Sequence, residues 1–219
     1  MKLSKETIAI LKNYSTISSN LVINAGSELK TKSTQNTILA KAVITDVFPI
    51  EFGIYDLNEF LNVLTLYTNP DLEFSEKFVR ISDGDTSVKY FAADKSVLSY
   101  PLKDVILSSS DVSFKLSADT LGLIMKTSSV LKVPDVSFVG SDGELKLIVS
   151  DKKNATSNAF EVKIGDTDLT FCINLKVEMM KFIHTDYMVE ISTKRISKFS
   201  AIGTDLNYFI GIETNSTFE

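Results

Sequence analysis

Hydrophobic and polar residues alternate with a period of two along most of this chain, which is the pattern of half-buried β-strands. Polar turn residues separate the alternating runs. Two of these turns, Ser82–Asp85 (SDGD) and Ser141–Glu144 (SDGE), contain the Asp-Gly pair that is typical of tight hairpins. Four shorter segments show the helical period of 3.6 instead. The pattern therefore predicts an α+β protein built mainly from short antiparallel strands.

The first helical segment returns in the second half of the chain. The sequence KLSKETIAILKNYSTI (Lys2–Ile17) aligns with KLSADTLGLIMKTSSV (Lys115–Val130) at an offset of 113 residues, with five identical and five similar positions out of 16. In each copy a serine, Ser4 or Ser117, stands where it can cap the helix N-terminus, and an acidic residue follows two positions later, where the helix dipole favours negative charge. The spacing predicts two related helices.

A second pair of segments matches at nearly the same offset. FGIYDLNEFL from Phe52 and FCINLKVEMM from Phe171 both indicate a strand that runs directly into a short helix. Two matches in the same order favour a tandem duplication, in which each half is a βαβββ unit used twice. Unrelated amphipathic helices are the alternative. The predicted domains are residues 1–95 and 111–219, and residues 96–110, with a proline and a run of serines, form the predicted connector.

The charges are unevenly distributed along this acidic chain. The net charge is −5, from 23 basic and 28 acidic residues, which by itself argues against a nucleic-acid-binding protein. Three windows, residues 2–15, 117–132 and 174–184, nevertheless hold seven lysines and three acidic residues, so they carry +4 and the rest of the chain −9. Lysines on a single solvated helix face are ordinary. Their concentration in three related segments indicates one basic surface.

Helical periodicity separates an apolar face from a basic face in two of these windows. In the first window, Lys5, Ala9 and Lys12 lie opposite the apolar residues. In the second window, Lys126 projects beside Gly122. The small residue in each window keeps the outward face flat. We therefore expect lysine-bearing helix faces that point away from the sheets.

Residues that could carry catalysis or hold a metal are isolated from one another. His184 is the only histidine and is expected at the surface or at a helix C-cap, and Cys172 is the only cysteine and is expected to be a core thiol in a strand. The sequence has no glycine-rich phosphate loop and no nucleophile elbow, and no apolar run reaches the roughly 18 residues of a membrane span. It therefore predicts no enzyme, no cofactor or metal site and no membrane partner.

Three segments of the chain resemble the sliding clamps of DNA polymerases, specifically the processivity clamps of large tailed bacteriophages, of the two-domain, trimeric, PCNA-like type. They are the opening MKLSKETIAILKNYSTI, the junction IYDLNEFL and the C-terminal run NYFIGIETNSTFE. The resemblance implies the DNA clamp fold, in which helices line a ring of three subunits and antiparallel sheets lie outside. It further implies a protein without catalytic activity that encircles duplex DNA independently of sequence. Such a protein binds a C-terminal peptide of the replicative polymerase, is opened by a clamp-loader ATPase and works in the cytoplasm of the infected bacterium.

The resemblance also implies roles for particular residues. The implied DNA-facing positions are the lysines of the three basic windows: Lys2, Lys5, Lys12, Lys126, Lys132, Lys176 and Lys181. The implied cleft for a partner peptide lies beside the connector, and its candidate residues are Val97, Leu98, Tyr100, Pro101, Leu102 and Phe218. Connector residues that simply join two cores are the competing interpretation. Subunit contacts are expected at two edge strands, residues 86–93 (TSVKYFAA) and 159–166 (AFEVKIGD).

One segment departs from the family pattern, and one alternative function stays open. The second helical segment, residues 56–67, has two acidic residues and no basic one, so equal DNA contact by all helices is not expected. A β-rich structural or virion assembly protein would also need many short strands, edge pairing and oligomerisation. It would not need lysines concentrated on the outer faces of duplicated helices.

Overall fold

The computed structural model of the protein describes residues 1–218. These residues form two compact units, one of residues 1–105 with 205–207 and the other of residues 106–204 with 208–218. The division after Val105 falls inside the predicted connector, residues 96–110. Each unit combines antiparallel sheets with few helices, which is the predicted α+β composition.

The first unit has two α-helices and seven strands among its described residues. The helices are α1 (Lys5–Ile17) and α2 (Leu57–Leu64), and a 3₁₀ turn covers Lys95–Val97. The strands are β1 (Leu21–Ile23), β2 (Gly26–Lys32), β3 (Ile38–Phe48), β4 (Phe52–Ile54), β5 (Asp71–Phe74), β6 (Phe78–Asp83) and β7 (Thr86–Phe91). Strand β1 pairs with β4, β2 pairs with β3, and β5, β6 and β7 form an antiparallel meander.

The second unit has one α-helix and nine strands among its described residues. The helix is α3 (Ala118–Leu131), and a 3₁₀ turn covers Val177–Met179. The strands are β8 (Val112–Leu116), β9 (Asp135–Ser141), β10 (Glu144–Ser150), β11 (Phe160–Asp166), β12 (Phe171–Lys176), β13 (Tyr187–Ser192), β14 (Ile196–Ala201), β15 (Leu206–Gly211) and β16 (Thr217–Phe218). One sheet has the order β11–β10–β9–β12–β16, and another places β15, β14, β13 and β8 side by side in that order.

The two predicted hairpin turns are confirmed. Ser141 pairs with Glu144, which leaves Asp142 and Gly143 as a two-residue loop, and both have positive φ angles (53° and 80°). This is the backbone that an Asp-Gly loop favours, because it matches the twist of the flanking strands. The loop between β6 and β7 is also two residues long and begins with Gly84 at φ 59°.

Helix α1 buries one side and leaves the other in solvent. Its buried residues follow helical spacing: Thr7, Ile10, Leu11, Tyr14 and Ile17. This stripe packs on α2 and on β3, where alternate residues such as Ala40 and Ala42 are buried. A fully buried leucine or isoleucine contributes roughly 1.5–3 kcal/mol to folding. The stripe therefore fixes which face of α1 stays outside.

The repeated sequence forms the same helix start in both units, as the duplication predicts. The hydroxyl of Ser4 accepts the N–H of Thr7 at 3.1 Å, and the hydroxyl of Ser117 accepts the N–H of Thr120 at 3.1 Å. Each serine thereby satisfies one of the backbone donors that a helix N-terminus leaves unpaired. The serine N-cap, which depends only on neighbouring residues, thus forms in both copies of the repeat.

A carboxylate from a distant strand region binds the start of each of these helices. Asp46 accepts the backbone N–H of Ser4 at 2.7 Å, and Asp186 accepts the N–H of Ala118 at 2.9 Å. Burial acts to raise the pKa of Asp46, but its hydrogen bonds from Ser4 and Thr7 outweigh burial and hold that pKa below its ordinary value. Both helix starts are therefore fixed to their own sheet.

The prediction of a fourth helix over KVEMMKFI is wrong. Strand β12 runs to Lys176, a single 3₁₀ turn follows, and residues 180–186 are not helical. An α-helix through Ile183 would direct its N–H to the carbonyl of Met179. That N–H instead donates to the hydroxyl of Tyr208 at 3.2 Å. A long-range contact therefore overrides the local helical pattern, and the second unit does not contain two α-helices.

Candidate nucleic-acid interface

The outward face of α1 carries the predicted lysines. Lys5, Ala9 and Lys12 are exposed, on the side opposite the buried stripe. Neither lysine forms a salt bridge with any carboxylate among residues 1–218. The face therefore presents two positive charges that the described part of the chain does not neutralise.

The outward face of α3 has the same character with fewer lysines. Leu121 and Ile124 are buried, whereas Lys126 is exposed and follows Gly122 by one turn. Lys132, also exposed, is the C-cap residue and adopts the left-handed conformation at φ 55°. The predicted positions Lys126 and Lys132 thus lie on the helix and at its end.

Three of the predicted lysines, Lys2, Lys176 and Lys181, lie neither in an α-helix nor at the cap of one. Lys2 precedes the Ser4 cap and lies 3.9 Å from Asp71. Lys181 is exposed and follows the 3₁₀ turn rather than occupying a fourth helix. The basic residues of the third window are therefore presented by strand and extended backbone.

Lys176 differs from the other candidates because its charge is matched inside the protein. It ends β12 and forms a salt bridge and a hydrogen bond with Asp135, whose side chain is 2% exposed. The other oxygen of Asp135 accepts the N–H of Lys152 at 2.8 Å. The hydrogen bond with Asp135 raises the pKa of Lys176. Lys176 is thus positioned to stabilise a buried carboxylate.

Helix α2 presents acidic and amide groups, as its sequence predicted. Asp56 caps the helix by accepting the N–H groups of Asn58 and Glu59 at 2.9 and 3.1 Å. A shallow depression of about 400 Å³ runs along the helix, lined by Asp56, Asn58, Glu59, Asn62, Val63 and Leu66. This surface offers no cation to a phosphate.

A pocket of about 330 Å³ lies beside the connector within the first unit. Its lining comes from the β2–β3 hairpin and from the connector: Lys32, Asn36, Ile38, Leu39, Pro101, Leu102, Lys103 and Val105. Leu102 is 81% exposed, so an apolar side chain stands in solvent at the pocket. Lys32 donates to the amide oxygen of Asn36 at 2.8 Å, which leaves its charge without an acidic partner there. The pocket is thus apolar with basic residues in its lining.

An ion-pair cluster fixes the connector next to this pocket. Asp104 and Glu28 both bind Lys30 at 2.5 Å, and Glu28 binds Lys41 at 2.6 Å. Burial acts to raise the pKa of Glu28, but hydrogen bonds from Lys30 and Lys41 lower it, and the hydrogen bond from Lys30 lowers the pKa of Asp104. The cluster ties the connector to β2 and β3.

The structure brings together only part of the predicted cleft. Pro101 and Leu102 line the pocket. Leu98 is instead buried against Gly53: a Cβ atom added to Gly53 would lie 2.8 Å from Cδ1 of Leu98. The ring of Tyr100 lies under the ammonium group of Lys95, whose nitrogen is 5.2 Å from the ring centre.

The two remaining cleft candidates do not line the pocket either. Val97 is 59% exposed in the 3₁₀ turn. Phe218 belongs to the second unit, where it pairs with Phe171 between β16 and β12.

Sequence reasoning missed the part of the pocket wall that β2 and β3 supply. Ile38 and Leu39 lie more than 60 positions before Pro101, and their alternating pattern predicts a strand without predicting what covers it. Only the fold shows which strand faces the connector.

The two predicted edge strands are sheet edges within their units. Strand β7 is the last strand of the β5–β6–β7 meander, and β11 is the first strand of the five-stranded sheet. Such edges have unpaired backbone N–H and C=O groups that can pair with another chain.

Neither the single histidine nor the single cysteine belongs to a cluster of metal-binding side chains among the described residues. His184 is exposed on non-helical backbone, so it caps no helix. Cys172 is half-buried rather than a core thiol, and its thiol donates weakly to Asn174 at 3.6 Å. Within residues 1–218, no three His, Cys, Asp or Glu side chains group together to hold a metal ion, and no helix has the length and apolar character to cross a membrane.

Known proteins match this chain along nearly its whole length. Residues 4–100 match the family model described as DNA polymerase processivity factor, and residues 113–214 match that described as gp45 sliding clamp, C terminal. A sliding clamp of Vibrio phage KVP40 is 36% identical over 221 residues, covering 97% of this chain and 99% of that protein. A sliding clamp of Escherichia phage RB69 is 29% identical and covers both chains completely.

A solved structure shows the same fold at low sequence identity. The A. fulgidus PCNA, solved with the C-terminal region of FEN-1 bound, superposes with a TM-score of 0.69 at 12% identity and covers 96% of each chain. The arrangement of strands and helices described above is therefore a known one.

Proposed function

The chain belongs to the sliding clamps, the DNA polymerase processivity factors, and we propose that three copies of it close into a ring around duplex DNA. The ring keeps the replicative polymerase on its template because the polymerase is tethered to a body that cannot leave closed DNA. It acts in the cytoplasm of the infected bacterium, in line with the phage origin of its relatives. The chain itself carries out no reaction.

The observation that carries this proposal is the pair of helix faces with uncompensated lysines. Lys5 and Lys12 on α1 and Lys126 on α3 all project away from buried stripes, on helices that start with the same cap. Lysines on flexible stems can satisfy any phosphate, whereas base contacts would hold a ring at preferred sequences. These faces suit a protein that holds duplex DNA and still slides.

We assign the DNA-facing role to the predicted lysines that are exposed. The set comprises Lys2, Lys5, Lys12, Lys126, Lys132 and Lys181. Lys176 contributes indirectly, because its ion pair with Asp135 has no net charge to repel phosphate. The acidic face of α2 contributes no phosphate contact.

Ring closure uses the two sheet edges. Strand β7 of one copy pairs with β11 of the next, so that one type of contact repeats head to tail and closes after three subunits. This pairing satisfies the free backbone groups of both edges. A clamp-loader ATPase opens one such contact to admit DNA.

The connector pocket receives the C-terminal peptide of the polymerase. An apolar side chain of the peptide replaces water against Ile38 and Leu102, and Lys32 and Lys103 favour an acidic residue beside that anchor. The structural relative from A. fulgidus has the C-terminal region of another protein bound, which supports peptide docking on this fold.

Electron microscopy and a DNA release assay test the function. Negatively stained protein should show closed rings of six similar lobes around a hole wider than the roughly 20 Å of duplex DNA. Clamps loaded on a nicked circle should elute with the DNA and should be released when a restriction enzyme makes the circle linear. Filaments or flat sheets would instead support a structural protein, and elution unchanged by linearisation would contradict topological binding.

A further inference from the structure

The segment that replaces the expected fourth helix is held at Ile183 by two hydrogen bonds. The Ile183 N–H donates to the Tyr208 hydroxyl at 3.2 Å, and the Tyr187 hydroxyl donates to the Ile183 carbonyl at 2.6 Å. The ring of Phe182 packs against two other rings: its centre lies 4.6 Å from that of Phe199 and 4.8 Å from that of Tyr208. Aromatic residues of the core therefore hold the N–H and C=O groups of Ile183 and the side chain of Phe182.

This anchoring places the next residue, His184, on the outward face of α3. A Cβ atom added to Gly122 would lie 3.1 Å from Nε2 of His184. Gly122 and Lys126 are four residues apart, so they differ by only about 40° around the helix axis. The imidazole thus lies over the same face of α3 that presents Lys126.

We propose that His184 is a DNA-backbone contact of the clamp: its imidazole donates a hydrogen bond to a phosphate oxygen beside the one that Lys126 attracts. This inference rests on the proposed function, because it requires the outward face of α3 to face DNA. Hydrogen bonds to phosphate carry no sequence information, so the contact is compatible with sliding.

The charges around His184 favour this role. Lys126 is exposed one turn after Gly122, and Lys181 is exposed three residues before His184 on the same segment. Two acidic side chains lie nearby: Asp119 in the turn of α3 before Gly122, and Asp186, two residues after His184, which is paired with Lys115 at 2.7 Å. Lys126 presents an exposed cation beside the imidazole, and an imidazole, which has fewer rotatable bonds than a lysine side chain, loses less conformational freedom on contact.

The contact with His184 explains why a glycine, Gly122, stands inside helix α3. Glycine inside a helix costs about 1 kcal/mol relative to alanine. A methyl group at position 122 would press on the imidazole at 3.1 Å, and the corresponding position of α1 is Ala9, where the partner segment is different. Gly122 therefore gives His184 its place on the helix.

Because the chain has a single histidine, its imidazole NMR signal needs no assignment. The clamp is labelled with ¹³C at histidine Cε1 and at methionine methyl groups, and a short blunt-ended DNA duplex is added at low salt. Met125, exposed beside Lys126 on α3, reports whether DNA reaches this helix, and Met188, exposed on β13, serves as a control.

The two reporters separate the inference from the function on which it rests. The expected result is that the His184 and Met125 signals shift together, that Met188 does not, and that salt reverses both shifts. A shift of Met125 without His184 would overturn the contact and leave the clamp function intact. If neither signal moved, DNA would not reach α3 and both proposals would fail.

Substitution gives a second readout. His184→Glu should weaken duplex binding at low salt by roughly fivefold, whereas His184→Asn, which keeps a donor, should lose less. Both variants should melt like the parent, since the side chain is exposed. Equal binding by the parent and His184→Glu would overturn the inference.

Discussion

The ammonium group of Lys176 neutralises the carboxylate of Asp135, which is 2% exposed, and so joins the end of β12 to the start of β9. The two residues are register partners in the sheet. A lysine that the charge pattern grouped with the DNA-facing residues is thus engaged within the protein. Its substitution should affect stability more than DNA binding.

Lys176→Ala should lower the free energy of unfolding by about 3 kcal/mol, because it leaves a buried charge unpaired. Chemical denaturation measures the loss. Lys153→Ala is the control: Lys153 is exposed and lines a surface cavity together with Lys176, and its loss should change stability by no more than about 0.5 kcal/mol. Since the pKa of Lys176 is raised on folding, its contribution is present at neutral pH and is lost only as the pH rises through that raised pKa. Equal stability of both variants would contradict a structural role.

Charge reversal on α1 should abolish DNA loading and spare the fold. A Lys5→Glu, Lys12→Glu variant changes two exposed side chains, so its stability should stay within the range of surface substitutions, about 0.5 kcal/mol. Loader-dependent retention on nicked circular DNA should fall to background. The matched control is Lys77→Glu, Lys194→Glu, which makes the same charge change at exposed turns. Equal loss in both variants would point to net charge rather than to the α1 face.

Leu102 should be the anchor point of the partner peptide. Leu102→Glu places a charge at the apolar pocket and should weaken binding of the polymerase C-terminal peptide at least tenfold by calorimetry, since a buried leucine contributes roughly 1.5–3 kcal/mol. Val97→Glu, a connector change outside the pocket lining, should have little effect. Tyr100→Ala should also have little effect because its ring lies under Lys95. If Val97→Glu and Tyr100→Ala weakened peptide binding more than Leu102→Glu, the peptide would dock at residues 97–100 instead.

The connector should loosen in acid. Glu28 and Asp104 have lowered pKa values in the folded protein, so the stability they add is present above their ordinary pKa values of about 4 and is lost as the pH falls through the folded values. Amide exchange at residues 102–105, corrected for intrinsic rate, should therefore rise below about pH 4. Asp104→Asn should produce the same increase at neutral pH. Slow exchange in that variant would show that the ion pairs do not hold the connector.

Gly122→Ala should stabilise the protein and displace His184. Replacing a helical glycine gains up to about 1 kcal/mol, and the new Cβ atom meets only the end of an exposed side chain. Thermal unfolding and the histidine NMR signal measure the two effects. Gly140→Ala is the contrasting change, because its Cβ atom would lie 2.4 Å from the Leu169 carbonyl oxygen, and it should destabilise.

Local motifs were predictable from the sequence, and long-range ones were not. The Ser4 and Ser117 caps and the Asp142–Gly143 turn depend on residues within four positions of one another, and all formed as expected. The fourth helix failed because Tyr208, 25 residues away, takes the N–H of Ile183.

The same distinction applies to the candidate site. The periodicity of α1 and α3 was enough to place Lys5, Lys12 and Lys126 on outward faces. It gave no indication that Asp135 would engage Lys176 or that β3 would wall the connector pocket, since both contacts join segments distant in the chain.

The uneven charge of the chain gives the clamp two opposite responses to salt. Outside the basic windows the chain carries −9, so an intact ring and a DNA molecule repel each other at long range. Added salt screens that repulsion and speeds chance encounters, while it weakens the lysine–phosphate attraction that acts once DNA is enclosed. Unlike most DNA-binding proteins, this clamp should be slowest to find DNA at low ionic strength, where it holds DNA best. On the proposed function, a loader has to overcome this electrostatic barrier as well as open the ring.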